Sequence, residues 1–109
     1  MPDPSRHTPL VIAFLVLVSP AGANEIGAQR ASQLERLVRH DCGSCHGMTL
    51  KGGLGPDIRP QRFENVPPDV VAQIILDGVP GTAMPPWRPL ISEADARWIA
   101  DYLTRGATP

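Results

Sequence analysis

Residues 42–46 read Cys-Gly-Ser-Cys-His. Two thiols three positions apart at the end of a helix lie on one side of it, and an imidazole follows at once. Cys42 and Cys45 can each add to one vinyl group of a haem, and His46 then points at the iron from the same face. The C-x-x-C-H spacing is read as c-type haem attachment for this geometric reason. Three other chemistries use similar residues. A structural zinc site wants four ligands, and only Cys42, Cys45 and His46 or His40 are on offer, with no second pair downstream. A thioredoxin-like pair expects strand–helix–strand surroundings, which the flanking residues do not suggest. A disulfide across so short a loop suits an exported chain but leaves His46 without a purpose.

A haem iron held by His46 takes a sixth ligand, for which Met48, Met84 and His40 are available. Met48 and His40 sit too near His46 in sequence to reach easily across the ring. Met84 lies in Ala-Met-Pro-Pro-Trp, where Pro85 and Pro86 stiffen the loop and leave a thioether little entropy to lose. The competing reading of Met84 is hydrophobic filler near a turn. His/Met ligation raises the reduction potential, and with both axial positions filled no site is open to a substrate. Transfer of electrons is then favoured over catalysis. A ligating histidine needs an acceptor for its other ring nitrogen, and Pro56, which has a carbonyl and no N–H, is the candidate. Trp87 and Arg88 could reach the haem propionates through N–H donation and charge pairing. Trp87 could equally be a loop aromatic packed on the haem edge. Trp98 and Tyr102 read as packing residues.

These groups need elements to hold them. Ala28, Ala31, Leu34, Leu37 and Val38 fall on one helical stripe that runs into Asp41 and Cys42, with Arg30, Glu35, Arg36 and Arg39 away from it. The glycines and prolines of residues 47–60 require a compact loop. Residues 67–77 place Val70, Val71, Ile74 and Ile75 at i, i+1, i+4 and i+5, with prolines at the start and Gly78 just past the end. That asymmetry predicts a helix, although so many β-branched residues would also suit a strand. After a second irregular stretch, Ser92 and Asp95 resemble a helix-opening cap, Ile99, Tyr102 and Leu103 share one side, and Gly106 stops the helix. The expected fold is all-α, three main helices separated by two Gly/Pro-rich loops.

Composition narrows the class. A chain of 109 residues allows one domain, and its 13 prolines and 10 glycines point to a loop-rich molecule. A net charge of −1 argues against nucleic acid as a partner. Residues 10–18 form an apolar run behind Arg6, followed by small residues with Ala21 and Ala23 in an A-x-A arrangement. This is the pattern of a secretory signal peptide, cleaved after Ala23 to leave residues 24–109 outside the cytoplasmic membrane. Nine apolar residues are too few to span a bilayer, so no stable membrane insertion is expected after cleavage. A domain this small buries a modest share of its surface and is expected to need a cofactor or staple.

Cys-Gly-Ser-Cys-His, Gly-Leu-Gly-Pro, Ala-Met-Pro-Pro-Trp and a final helix ending Ala-Asp-Tyr-Leu resemble the class I c-type cytochromes across nearly all of residues 24–109. The longer strings from Asp41 to Pro56 and from Pro80 to Leu90 are similar to the short NirC-type cytochromes, which are encoded beside the haem-d-containing nitrite reductase of denitrifying bacteria. The resemblance implies the class I cytochrome c fold around one covalent haem c. It implies Cys42 and Cys45 as thioether cysteines, His46 as proximal ligand, Met84 as distal ligand and Pro56 as the carbonyl that orients His46. It also implies that the first and last helices cross, so that Leu34, Leu37 or Val38 meets Ile99, Tyr102 or Leu103. The implied function is a periplasmic single-electron carrier, not an enzyme, between a respiratory-chain donor and nitrite reductase. The alternatives are an accessory role in maturation of the reductase's d-type haem, or small-ligand binding if Met84 is not coordinated. Lys51 is the sole lysine, which departs from the basic docking ring of mitochondrial relatives. Partner contact is expected instead from the apolar rim of residues 81–87, helped by Arg88.

Overall fold

The computed structural model describes residues 9–17 and 26–106, and within them every regular element is helical. Helix α1, Ala28–Leu37, continues without a break through a π-helical turn, Val38–Cys42, into the short α2, Gly43–His46. A long loop follows, carrying a single 3₁₀ turn at Pro60–Arg62. Helix α3, Pro68–Asp77, leads through the second loop to α4, Glu93–Arg105. Helices α3 and α4 pack together most extensively, α1 crosses α4, and the 3₁₀ turn rests against α4.

Each helix has local reasons to start and stop. Pro67 and Pro68 open α3, where a missing N–H costs nothing, and Gly78 closes it in a conformation reserved for glycine. Ser92 opens α4 with a complete capping box: its hydroxyl accepts from the Asp95 N–H, and the Asp95 carboxylate accepts from the Ser92 N–H, each at 3.0 Å. Gly106 ends α4 in the left-handed region.

The core draws Leu34 from α1, Val38 from the π-helical turn, Val71, Ala72, Ile75 and Leu76 from α3, and Ala96, Ile99, Ala100 and Leu103 from α4. Leu50 and Ile91 join it from the loops, and Leu37 and Tyr102 pack at its margin. The expected meeting of the first and last helices is therefore present. On α3 the buried face is formed by Val71, Ala72, Ile75 and Leu76, while Val70 and Ile74 stand 47% and 44% exposed.

Two side-chain links fasten α1 to α4. Arg30 grips the buried Asp95 through two bonds of 3.0 and 2.6 Å, so one carboxylate both caps α4 and ties it to α1. Tyr102, stacked on Trp98 with ring centroids 5.1 Å apart, donates its hydroxyl to Glu35 at 3.2 Å. Residues 9–17 form neither helix nor strand, and Leu10, Phe14 and Leu17 are exposed. The core contains none of them. Ala21, Ala23 and the expected cleavage point lie outside the described residues.

Candidate cofactor-binding site

Cys42, Cys45 and His46 occupy the end of one continuous helical segment, which brings both thiols and the imidazole to a single helix terminus. Gly47, at φ 87°, breaks the helix directly after His46. The chain then folds back over that terminus: the Gly52 N–H donates to the His46 carbonyl at 2.7 Å and the Gly55 N–H to the Cys45 carbonyl at 2.8 Å. Helix-end carbonyls that would otherwise lack partners are satisfied by the loop itself. Glycine is required where the loop presses closest. A Cβ on Gly53 would stand 2.9 Å from the Cys45 carbonyl oxygen, and one on Gly55 would stand 2.8 Å from two atoms of the His46 ring.

The next residue, Pro56, accepts a 2.7 Å hydrogen bond from His46 Nδ1. A carbonyl can only accept, so Nδ1 carries a proton, and in the neutral ring the lone pair lies on Nε2. The imidazole is thus fixed in orientation and tautomer, with its coordinating nitrogen free. Asp57 then locks the loop behind Pro56. Its carboxylate receives the Arg59 backbone N–H at 2.9 Å and the Arg59 guanidinium at 2.7–3.1 Å, with Arg62 at 3.9 Å. These bonds, above all those from the Arg59 side chain, hold the Asp57 carboxyl down to about 2. Sequence reading passed over this clasp, whose signal is an Asp-x-Arg directly after the proline.

Cys42, half-buried, and Cys45, exposed, are not joined in a disulfide. Burial, with the neighbouring Asp41 charge adding to it, pushes the Cys42 thiol up to about 11. Redox-active pairs depend instead on a lowered thiol pKa. Among the described residues, no three His, Cys, Asp or Glu side chains gather as a metal site.

On the second loop, Met84 is half-buried. Met48, by contrast, is 61% exposed, and its sulfur lies beside Gly43, 3.4 Å from where a Cβ there would stand. His40 is exposed. Trp87 is packed at the core's margin, and its backbone N–H donates to Ile75 at 3.1 Å. The Arg88 side chain reaches carboxylates of both flanking helices, Asp77 at 2.8 Å and Glu93 at 3.4 Å.

The family described as "Cytochrome C oxidase, cbb3-type, subunit III" matches residues 29–103. A cytochrome c55X from Paracoccus denitrificans (strain Pd 1222) is 48% identical over 91% of this chain and 96% of its own length. The chain belongs to the c-type cytochromes. Among solved structures, the c-type cytochrome NirC superposes with a TM-score of 0.71 at 44% identity, over 73% of this cytochrome and 94% of that chain. Dihydro-heme d1 dehydrogenase NirN in complex with DHE superposes at 0.61 and 32% identity, over 66% of this cytochrome but 16% of that chain. Haem c is the cofactor this family implies, and electron transfer rather than catalysis is its function.

The residues present fit such a group. Two cysteines share a helix end with an imidazole whose Nδ1 is committed to Pro56, and Gly55 leaves no room for a side chain beside its ring. Gly55 is the residue that sequence reading undervalued: it stands directly before Pro56, but which atoms approach it depends on the fold.

Proposed function

We propose that this cytochrome carries electrons singly outside the cytoplasmic membrane, with a haem-d-containing nitrite reductase as acceptor and a respiratory-chain protein as donor. In this reading residues 1–23 are a signal peptide removed after Ala23. Cys42 and Cys45 hold one haem through thioethers, His46 binds the iron through Nε2, and Met84 binds it through its sulfur. The haem supplies a one-electron couple, which His/Met ligation sets at high potential.

The protein's own residues do the rest. Pro56 keeps the proton on Nδ1 and makes the imidazole a stronger donor. Gly55 leaves the ring room, and Asp57 with Arg59 prevents the carbonyl from drifting. Trp87 and Arg88 follow Met84 on the same loop, and a propionate contact from Arg88 requires exchange of Asp77 or Glu93. The observation that carries the reading is the 2.7 Å bond from His46 to a proline carbonyl, with two cysteines unpaired by a disulfide at the same helix end. Among the described residues no helix is long and apolar enough to cross a membrane.

The test is made on exported protein. Intact mass and spectrum after acidified-solvent extraction should show one haem retained and a polypeptide starting at Asn24. The oxidised protein should show the far-red sulfur-to-iron band, and the reduced protein should lose its electron on mixing with the reductase. Free thiols with no added porphyrin mass would remove the haem reading. A reduced protein inert towards the reductase would remove the acceptor.

The likeness to part of NirN favours a second reading, a role in maturation of the d-type haem. A deletion strain separates the two. Reductase purified without its d-type haem supports maturation, whereas loaded reductase starved of electrons supports donation.

A further inference from the structure

The second loop does not merely hang between α3 and α4; it is bolted to the last turn of α3. The Ile75 and Leu76 carbonyls, which a helix terminus leaves without partners, accept from the Trp87 and Arg88 N–H groups, each at 3.1 Å. Inside that anchor the Val79 N–H donates to the Met84 carbonyl at 3.2 Å. Thr82 braces the turn, donating its hydroxyl to the Val79 carbonyl at 2.7 Å and accepting the Met84 N–H at 3.3 Å. At the crossing point stands Gly78, at φ 67° and ψ −171°, a region used essentially by glycine alone. A Cβ there would meet the Met84 carbonyl oxygen at 2.7 Å and the Pro85 and Pro86 backbone at 2.8 Å. All three are backbone atoms, and two belong to stiff proline units, so nothing at the crossing can step aside.

The geometry points to Gly78 and Thr82 as positioning residues for the Met84 thioether: the crossing over Gly78 and the Thr82 brace determine how firmly the sulfur is held and therefore whether the iron stays closed to outside ligands. The inference rests on Met84 being the distal ligand. Gly81 provides the internal comparison. It lies in the same loop at φ 79°, but a Cβ there would meet nothing within 4 Å. Gly78→Ala adds backbone strain and a collision; Gly81→Ala adds strain alone.

The experiment titrates the oxidised holoprotein with imidazole, which binds the iron only when the methionine leaves. The far-red sulfur-to-iron band and the reduction potential are recorded alongside. Gly78→Ala is expected to lose most of the band, lower the potential and bind imidazole at least roughly tenfold more tightly, on the scale of one or two lost hydrogen bonds. Thr82→Val, nearly isosteric and free of the collision, is expected to shift imidazole affinity in the same direction, with Thr82→Ser restoring it. It keeps the test open if Gly78→Ala does not accumulate. Gly81→Ala is expected to stay within about twofold of the parent, since it leaves the bonds intact. Equal shifts for Gly78→Ala and Gly81→Ala, or unchanged affinity in both Gly78→Ala and Thr82→Val, would overturn the inference while leaving the ligation standing. A parent protein without the far-red band would remove the ligation itself and the inference with it.

Discussion

At the scale of single residues, the His46 ring is controlled from two sides. Pro56 fixes its proton and Gly55 fixes the space beside it. The first control acts through a backbone carbonyl and the second through a missing side chain, so they respond differently to substitution. Gly55→Ala puts a methyl where 2.8 Å remains to the ring and must rotate the imidazole or displace the loop. It is expected to reduce haem incorporation severalfold and weaken the Pro56 bond, checked by haem-to-protein ratio and by the Nδ1 proton resonance. Pro56→Ala keeps the carbonyl and should retain most of the haem in the same assay. The C-x-x-C-H cluster was readable because its members fall within one turn of helix, where spacing alone sets direction. Asp57 with Arg59 was not read, because a carboxylate two residues from an arginine is common and only the loop's fold shows what it secures.

Among the elements, the join between α1 and α4 depends heavily on Asp95. Its carboxylate takes the Ser92 N–H and the Nε and Nη2 groups of Arg30, and it is itself largely buried. The Arg30 bonds, with the Ser92 N–H adding to them, hold this carboxyl below its ordinary value of 3.8, against the opposing effect of burial. A carboxylate whose folded pKa is depressed contributes stability that is complete above the unfolded value and is lost as pH falls below it. Arg30 is two-fifths exposed, so solvent screens part of the pairing. Asp95→Asn is accordingly expected to cost about 1–2 kcal/mol at pH 7 and less at pH 3, measured by urea unfolding. The capping box was visible in the sequence as Ser92 and Asp95. The partner 65 positions away was not, since Arg30 reads as a solvated charge on the polar side of α1.

For the molecule as a whole, three helices meet in one small core, and Leu34, fully buried on α1, sits within it. Leu34→Ala should destabilise by about 3 kcal/mol, seen as a lowered urea midpoint with an unchanged slope. The charge balance makes a further prediction. Net charge is −1 and lysine is nearly absent, so long-range steering towards a partner is weak. Raising the salt from low to physiological is expected to change the bimolecular electron-transfer rate by less than about threefold, measured by stopped flow. A steep fall in rate would indicate a charged docking surface that the composition does not suggest.

The amino-acid sequence alone pointed to a haem cofactor, the family and the order of helices and loops. Each of these follows from contiguous residues: Cys42 to His46 in one turn, Pro67 and Gly78 bracketing α3, Ser92 opening α4. Tertiary structure decided which nitrogen of His46 stays free, which carboxylate receives Arg30, and why position 78 tolerates no side chain beneath Met84 and its prolines. Those outcomes depend on ångström-scale approaches between segments distant along the chain. Residue types limit such approaches, and only the packed backbone sets them.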